Sequence, residues 1–169
     1  MAHFEELNKY IFDIINKILE NEDLSKLLYY TDKKPLQHDN LTQEQKDELI
    51  KNNIFPYFFV PTETDNNERV IVNIVLDNFE NGGKQYFKAG LIKFNILVCN
   101  NLQITNEGLR VFKIMSELDK MFNSVNYRDF NKQRPTTSLG GNNFINANAL
   151  WANNKYTGYT LSYSCLNFS

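Results

Sequence analysis

One hundred and sixty-nine residues amount to about one ordinary domain and are too few for two comfortable ones. Eighteen basic side chains against twenty acidic ones leave a net charge of −2, which argues against a protein that coats nucleic acid, since phosphate neutralisation needs a basic excess. A content of 42% hydrophobic and 14% aromatic residues supplies a real core and excludes wholesale disorder.

In chain order, Phe4, Leu7, Ile11, Ile14, Ile15, Ile18 and Leu19 recur at spacings of three and four with charged residues between them. That spacing predicts an amphipathic helix over Phe4–Leu19. Asp23 is the expected cap of a second, short helix carrying Leu24, Leu27 and Leu28, which Lys33-Lys34-Pro35 stops. Thr42-Gln43-Glu44-Gln45 has the Ser/Thr-x-x-Glu/Gln form of a capping box and predicts a third helix to about Lys51. The period changes at Ile54. Ile54 to Pro61 is apolar, but its two prolines confine it to an edge strand or an extended connector, and Thr62 to Glu68 reads as a polar loop.

The next run puts Val70, Val72, Ile74 and Leu76 on one face and Arg69, Ile71, Asn73, Val75 and Asp77 on the other. A turn around Asn81-Gly82-Gly83 leads into a return strand from Tyr86 to Cys99, which makes a long antiparallel hairpin. A further amphipathic helix is expected over Asn106–Phe122. Its stripe is Val111, Ile114, Met115, Leu118, Met121 and Phe122; its wet face is Arg110, Lys113, Glu117 and Lys120. Residues Asn123 to Asn143 lose periodicity and read as a long loop, of a length that usually has a function or a partner. A second hairpin, Phe144–Trp151 and Tyr156–Phe168, turns at Asn153-Asn154. Layer logic then gives one α+β domain spanning 1–169. It consists of a single, mostly antiparallel four-stranded sheet of two hairpins with the helices packed on it, in the order α-α-α-β-β-α-β-β.

Chemistry-bearing patterns are sparse. The two cysteines, Cys99 and Cys165, and the two histidines, His3 and His38, have none of the spacings of a zinc site, so no metal is expected. Both cysteines fall on apolar strands, where a small buried free thiol in a reducing cytoplasm is the expectation. Ser138-Leu139-Gly140-Gly141 lacks the strand and helix that flank a nucleophile elbow. Gly82-Gly83-Lys84 lacks the first glycine of a phosphate loop and sits between strands. Asp77, Glu80, Lys84 and Lys88 lack the Glu-x-Lys triplet of a metal-dependent nuclease and read as solvated turn charges. Tyr57, Phe58, Phe59, Tyr86, Phe87 and Phe94 come without interleaved arginines, which suits packing better than base stacking. No enzyme and no cofactor is therefore expected. No apolar run approaches the roughly 20 residues needed to cross a bilayer, so no membrane role is expected. Met1-Ala2-His3-Phe4-Glu5-Glu6 has no signal-peptide character. The 25 asparagines are scattered and form no tract, as AT-rich coding would leave them.

Several phrases nevertheless form a set: Asp23-Leu24-Ser25-Lys26-Leu27-Leu28-Tyr29-Tyr30, Ile54-Phe55-Pro56 with Val60-Pro61, and Phe87-Lys88-Ala89-Gly90-Leu91-Ile92-Lys93-Phe94-Asn95-Ile96. Gly108-Leu109-Arg110-Val111-Phe112-Lys113-Ile114-Met115-Ser116-Glu117-Leu118-Asp119 and Tyr156-Thr157-Gly158-Tyr159-Thr160-Leu161 complete it. Nearly the whole chain is similar to small neck proteins of tailed bacteriophages, of the tail-terminator or tail-completion kind. The resemblance implies a structural virion protein, made in the host bacterial cytoplasm. Its copies would form a homo-oligomeric ring, a hexamer first and a twelvefold ring second, that caps the tail tube and joins tail to head.

The partners so implied are other neck and tail-tube proteins, with DNA passing the lumen without specific binding. Another neck or tail hub component, or a general protein-binding adaptor, is the alternative. Two features of the residues fit the ring reading. Ile71, Val75, Leu91 and Leu97 would leave apolar surface on the second side of the sheet. The loop Thr62–Glu68, the tip Asn81–Lys84 and the loop Asn123–Asn143 would project. The expected contact residues are Glu68, Arg69, Asn81, Gly82, Gly83, Lys84, Arg128, Arg134 and Pro135, with the two loop arginines as anchors because a guanidinium fork suits interfaces.

Overall fold

A computed structural model describes residues 7–81, 88–123 and 142–168. Helix α1 (Leu7–Glu20) buries Tyr10, Ile14, Ile15, Ile18 and Leu19. Helix α2 (Glu22–Tyr29) follows at once, and its cap is Asn21, whose side chain accepts from the Leu24 backbone N–H at 2.9 Å. The expected cap, Asp23, instead lies in the first turn, where its charge faces the positive end of the helix dipole. Helix α3 (Gln43–Asn52) opens on the Thr42–Gln45 capping box, with both reciprocal bonds present.

Strands β1 (Ile54–Phe55), β2 (Val70–Asn81), β3 (Lys88–Cys99), β6 (Asn142–Trp151) and β7 (Tyr156–Phe168) form one sheet in the order β1-β2-β3-β7-β6. This corrects the expected single four-stranded antiparallel sheet. The sheet has five strands and is mixed, because β1 runs parallel to β2, Ile54 beside Val72 and Phe55 beside Asn73. A second, two-stranded ribbon, β4 (Ile104–Thr105) with β5 (Gly108–Leu109), stands apart from it. Both departures are two-residue elements, too short to show a period. β1 is held through Asn53, whose backbone oxygen accepts from Val72 N at 2.8 Å, and Pro56 follows directly after it. The ribbon closes over Gly108, which has φ 113, a conformation that costs glycine little and other residues more.

Helix α4 (Arg110–Phe122) begins after the ribbon, four residues later than the periodicity suggests. Val111, Ile114, Leu118 and Phe122 are buried, as the stripe predicts, and Phe122 meets Phe94 of β3 with ring centroids 4.8 Å apart. Arg110, however, is not on the wet face: it is 0% exposed. Its guanidinium donates to the carbonyls of Leu102 (2.9 Å), Leu27 (2.9 Å), Tyr30 (2.7 Å) and Asp32 (2.6 Å). The last carbonyls of a helix have no partner inside it. Here Arg110 takes that of Leu27 and Asn53 takes that of Leu28 at 3.1 Å. Burial lowers the Arg110 pKa, and the nearby Asp32 charge opposes that shift.

The core lies between the helices and one sheet face. In register across the strands, that face carries Ile74, Phe94 and Leu161, then Leu76, Ile92 and Tyr163. The Tyr163 hydroxyl donates to Asp119 of α4 at 3.0 Å; burial, then the Asp119 charge, raise its pKa. The opposite face is layered. Ile71, Leu97, Gly158 and Leu150 form an apolar row, and Asn73, Asn95, Thr160 and Asn148 a polar one. The expected apolar exposure on this side is only partly present: Ile71 and Leu97 are fully buried, while Val75 and Leu91 are half-buried. The chain after β1 accounts for the difference, because Phe59 supplies the oxygen that Asn73 Nδ2 bonds at 2.9 Å and Phe58 reaches the same side.

Candidate functional site

The two edges of the sheet differ in kind. One is β1, two residues long and followed by proline, which is how a sheet edge is blunted against further pairing. The other is β6, ten residues of sequence NNFINANALW with no charged side chain. β6 pairs only with β7, and no strand lies beyond it among the described residues. Its register is regular from Asn146 to Trp151 and shifts between Phe144 and Asn146. Every second residue of a strand turns its N–H and C=O away from a given neighbour, so over the regular stretch Asn146–Trp151 this edge turns alternate backbone donors and acceptors away from β7.

An apolar patch flanks the edge on the helix side. Ala147, Ala149 and Trp151 stand opposite Leu161, Tyr159 and Thr157, and the Tyr159 ring lies 5.5 Å from that of Phe112 on α4. Trp151 is 69% exposed, Ile104 of the ribbon 68% and Phe112 48%. Scattered exposed apolar residues need no explanation, but a group of aromatics beside an open strand is the composition of a contact surface. On the other side of the sheet, a groove of about 550 Å³ runs over Lys93, Asn95, Thr160, Ser162, Asn146 and Asn148. Lys93 is paired there with Asp77 at 2.5 Å.

Of the expected contact residues, Glu68 and Arg69 are adjacent and both engaged within the chain. Glu68 accepts from Asn101 Nδ2. Arg69 pairs with Asp65, donates to the Asn52 carbonyl at 3.3 Å and lies over the Phe59 ring, 5.7 Å from its centroid. The loop Thr62–Glu68 is stitched to the β6–β7 turn: Glu63 accepts from Asn154 N at 3.0 Å, Asn153 Nδ2 donates to Pro61 O at 2.9 Å, and Lys155 Nζ donates to Asp65 O. Asn81 ends β2 opposite Lys88. Gly82, Gly83, Lys84, Arg128, Arg134 and Pro135, with most of the loop Asn123–Asn143, lie outside the described residues.

Cys99 and Cys165 are free and buried, and burial pushes the Cys165 thiol up to about 12. No group of three or more His, Cys, Asp or Glu side chains comes together to hold a metal among the described residues. No helix among them is long and apolar enough to cross a membrane.

The expected hairpin Phe144–Trp151 and Tyr156–Phe168 is present as β6 and β7, but its spacing does not show that β6 ends the sheet. The signal of the edge was present: ten strand residues without a charge, at the end of a sheet whose other strands are accounted for. No curated protein and no solved structure matches the chain. The YomW family matches residues 21–165, from the cap of α2 into β7, and its name is of the Bacillus-prophage type. The chain therefore belongs to the YomW family and is a phage-associated protein.

Proposed function

We propose that this protein is a structural component of the phage neck, which assembles into a ring that terminates the tail tube and joins tail to head. The observation that carries this reading is the charge-free β6 edge with its aromatic flank. Such a surface serves protein contacts, since backbone pairing gives affinity and the side chains beside it give specificity. Membership of a phage-associated family supplies the setting, and the resemblance in sequence supplies the neck. A hexameric ring is the first expectation and a twelvefold ring the second. The near-neutral net charge of −2 suits a lumen that DNA must traverse without adhering.

The ring contacts are assigned to β6 together with the segments nominated above: Glu68, Arg69 and the tips and loops that carry Asn81, Gly82, Gly83, Lys84, Arg128, Arg134 and Pro135. Shortening Asn131–Gly141 tests that assignment, because loop length itself costs little stability; the variant should stay folded and fail to join heads to tails. The reading as a whole is tested by inactivating the gene in the phage that encodes it and imaging the lysate. Filled heads and separate tails are expected. Normal infectious particles would overturn the proposal.

A further inference from the structure

We propose that, before any assembly, the β6 edge is occupied by the β6 edge of a second copy of this chain, paired antiparallel about a two-fold axis at Ala149. This goes beyond the neck reading and does not depend on it. A closed ring repeats a head-to-tail contact between two different patches, whereas β6 against β6 uses the same patch twice.

Three observations point to this occupant. First, the choice of edges is limited: β1 offers two residues and then Pro56, so among the described strands β6 is the edge long enough for two copies to join by strand pairing. Second, the strand suits its own reflection. With no charge in β6, no like charges meet across the axis, which would otherwise destabilise directly opposed residues. Third, the sizes match. An axis at Ala149 places Trp151 opposite the partner subunit's Ala147, and Leu150 opposite the partner subunit's Asn148. Ala147, Ala149 and Trp151 all lie on the helix-side face, so the most exposed large side chain in this region gains a seat over a methyl group. The five residues Ala147–Trp151 of each copy, all within the regular stretch, would close about four to six inter-chain hydrogen bonds, depending on which alternate residues face outward.

Strand pairing alone is small beside the roughly 1,600 Å² that stable interfaces bury. Phe112, whose ring meets Tyr159 on the same side of the sheet as Trp151, provides apolar area that the two-fold brings toward the junction. The dimer hides the edge that a ring would use, so dimer and ring compete for β6.

The full-length protein is measured by light scattering on a sizing column at micromolar concentration. The expected mass is twice the chain mass of 19.8 kDa. Ala149→Lys sets two ammonium groups against each other at the axis and should return the protein to the single-chain mass with an unchanged circular-dichroism spectrum. If that variant does not fold, Ala149→Cys gives the second reading. Opposed residues near an antiparallel axis lie about 4.5–5.5 Å apart at Cα, within disulfide reach, so oxidation should give a covalent dimer. Overturning results are a wild-type protein at single-chain mass, a wild-type mass of six or more chains, a folded Ala149→Lys that keeps the dimer, or an Ala149→Cys that does not cross-link. Because the neck reading is judged on particles, either proposal can fail without the other.

Discussion

Arg110 donates from Nη1 to the backbone oxygen of Tyr30 at 2.7 Å, and that bond closes the junction between the first turn of α4 and the end of α2. The same nitrogen takes the Leu27 carbonyl, and Nη2 takes that of Asp32. A buried acceptor left without a donor costs about 1–3 kcal/mol. Arg110→Ala leaves the buried carbonyls of Leu102 and Leu27 without this donor and gives those of Tyr30 and Asp32 to water, so a loss on the order of 3 kcal/mol is expected. Arg110→Lys keeps the charge but not the planar fork and should recover only part. Urea unfolding of the two variants measures this, and an unchanged midpoint in Arg110→Ala would show that the network is dispensable.

Gly158 of β7 lies close against the backbone of β3. A Cβ built there would stand 1.8 Å from the backbone oxygen of Ile96, and backbone cannot step aside as a flexible side chain can. Gly158→Ala should therefore destabilise at the upper end of the overpacking range of about 1–3 kcal/mol. A melting temperature equal to that of the wild type would mean that β3 and β7 separate without penalty.

These two residues also show where sequence reasoning stops. The long elements were legible because each repeats a period: the α1 stripe, the Val111–Phe122 stripe and the alternation along β2 and β3 all face the core as their spacing requires. Periodicity assigns a residue to a side of its element and says nothing of what approaches that side. Arg110 falls on the polar side of α4 by spacing, yet its first-turn position lies under the end of α2, where free carbonyls replace water. The β4–β5 ribbon has two residues per strand, below the length at which alternation has meaning, whereas β1 takes the edge position that the two prolines of Ile54–Pro61 leave open to it. The open edge depends on strand order, and a hairpin reads the same whether it is central or terminal.

The thiols should be silent in the native state. Cys99 and Cys165 are both buried, and burial raises the Cys165 pKa to about 12, while the thiolate is the reactive species. Incubation with a chromogenic disulfide reagent near neutral pH should label neither, and denaturant should release both. Fast labelling of the folded protein would contradict their placement. Single Cys→Ala variants should remain folded, each having lost one small buried group.

Acid should loosen the loop that leads into β2. The backbone N–H of Asn67, and then Arg69, hold the Asp65 carboxyl below its ordinary value. A group depressed in the folded state stabilises above its unfolded pKa, and that contribution is lost as pH falls through the folded value. Asp65→Asn should therefore be less stable than the wild type near neutrality, and the gap should narrow at strongly acidic pH. Melting curves across that range test the sign; a gap that widens on acidification would contradict it.

The central claim is that this chain works as a structural part of the particle, at the junction of head and tail. Gold-labelled antibody against the purified protein, applied to intact particles and viewed by negative stain, addresses it most directly. Label confined to the neck is expected. Label on the capsid shell or the tail tip, or particles that carry none of the protein, would contradict it.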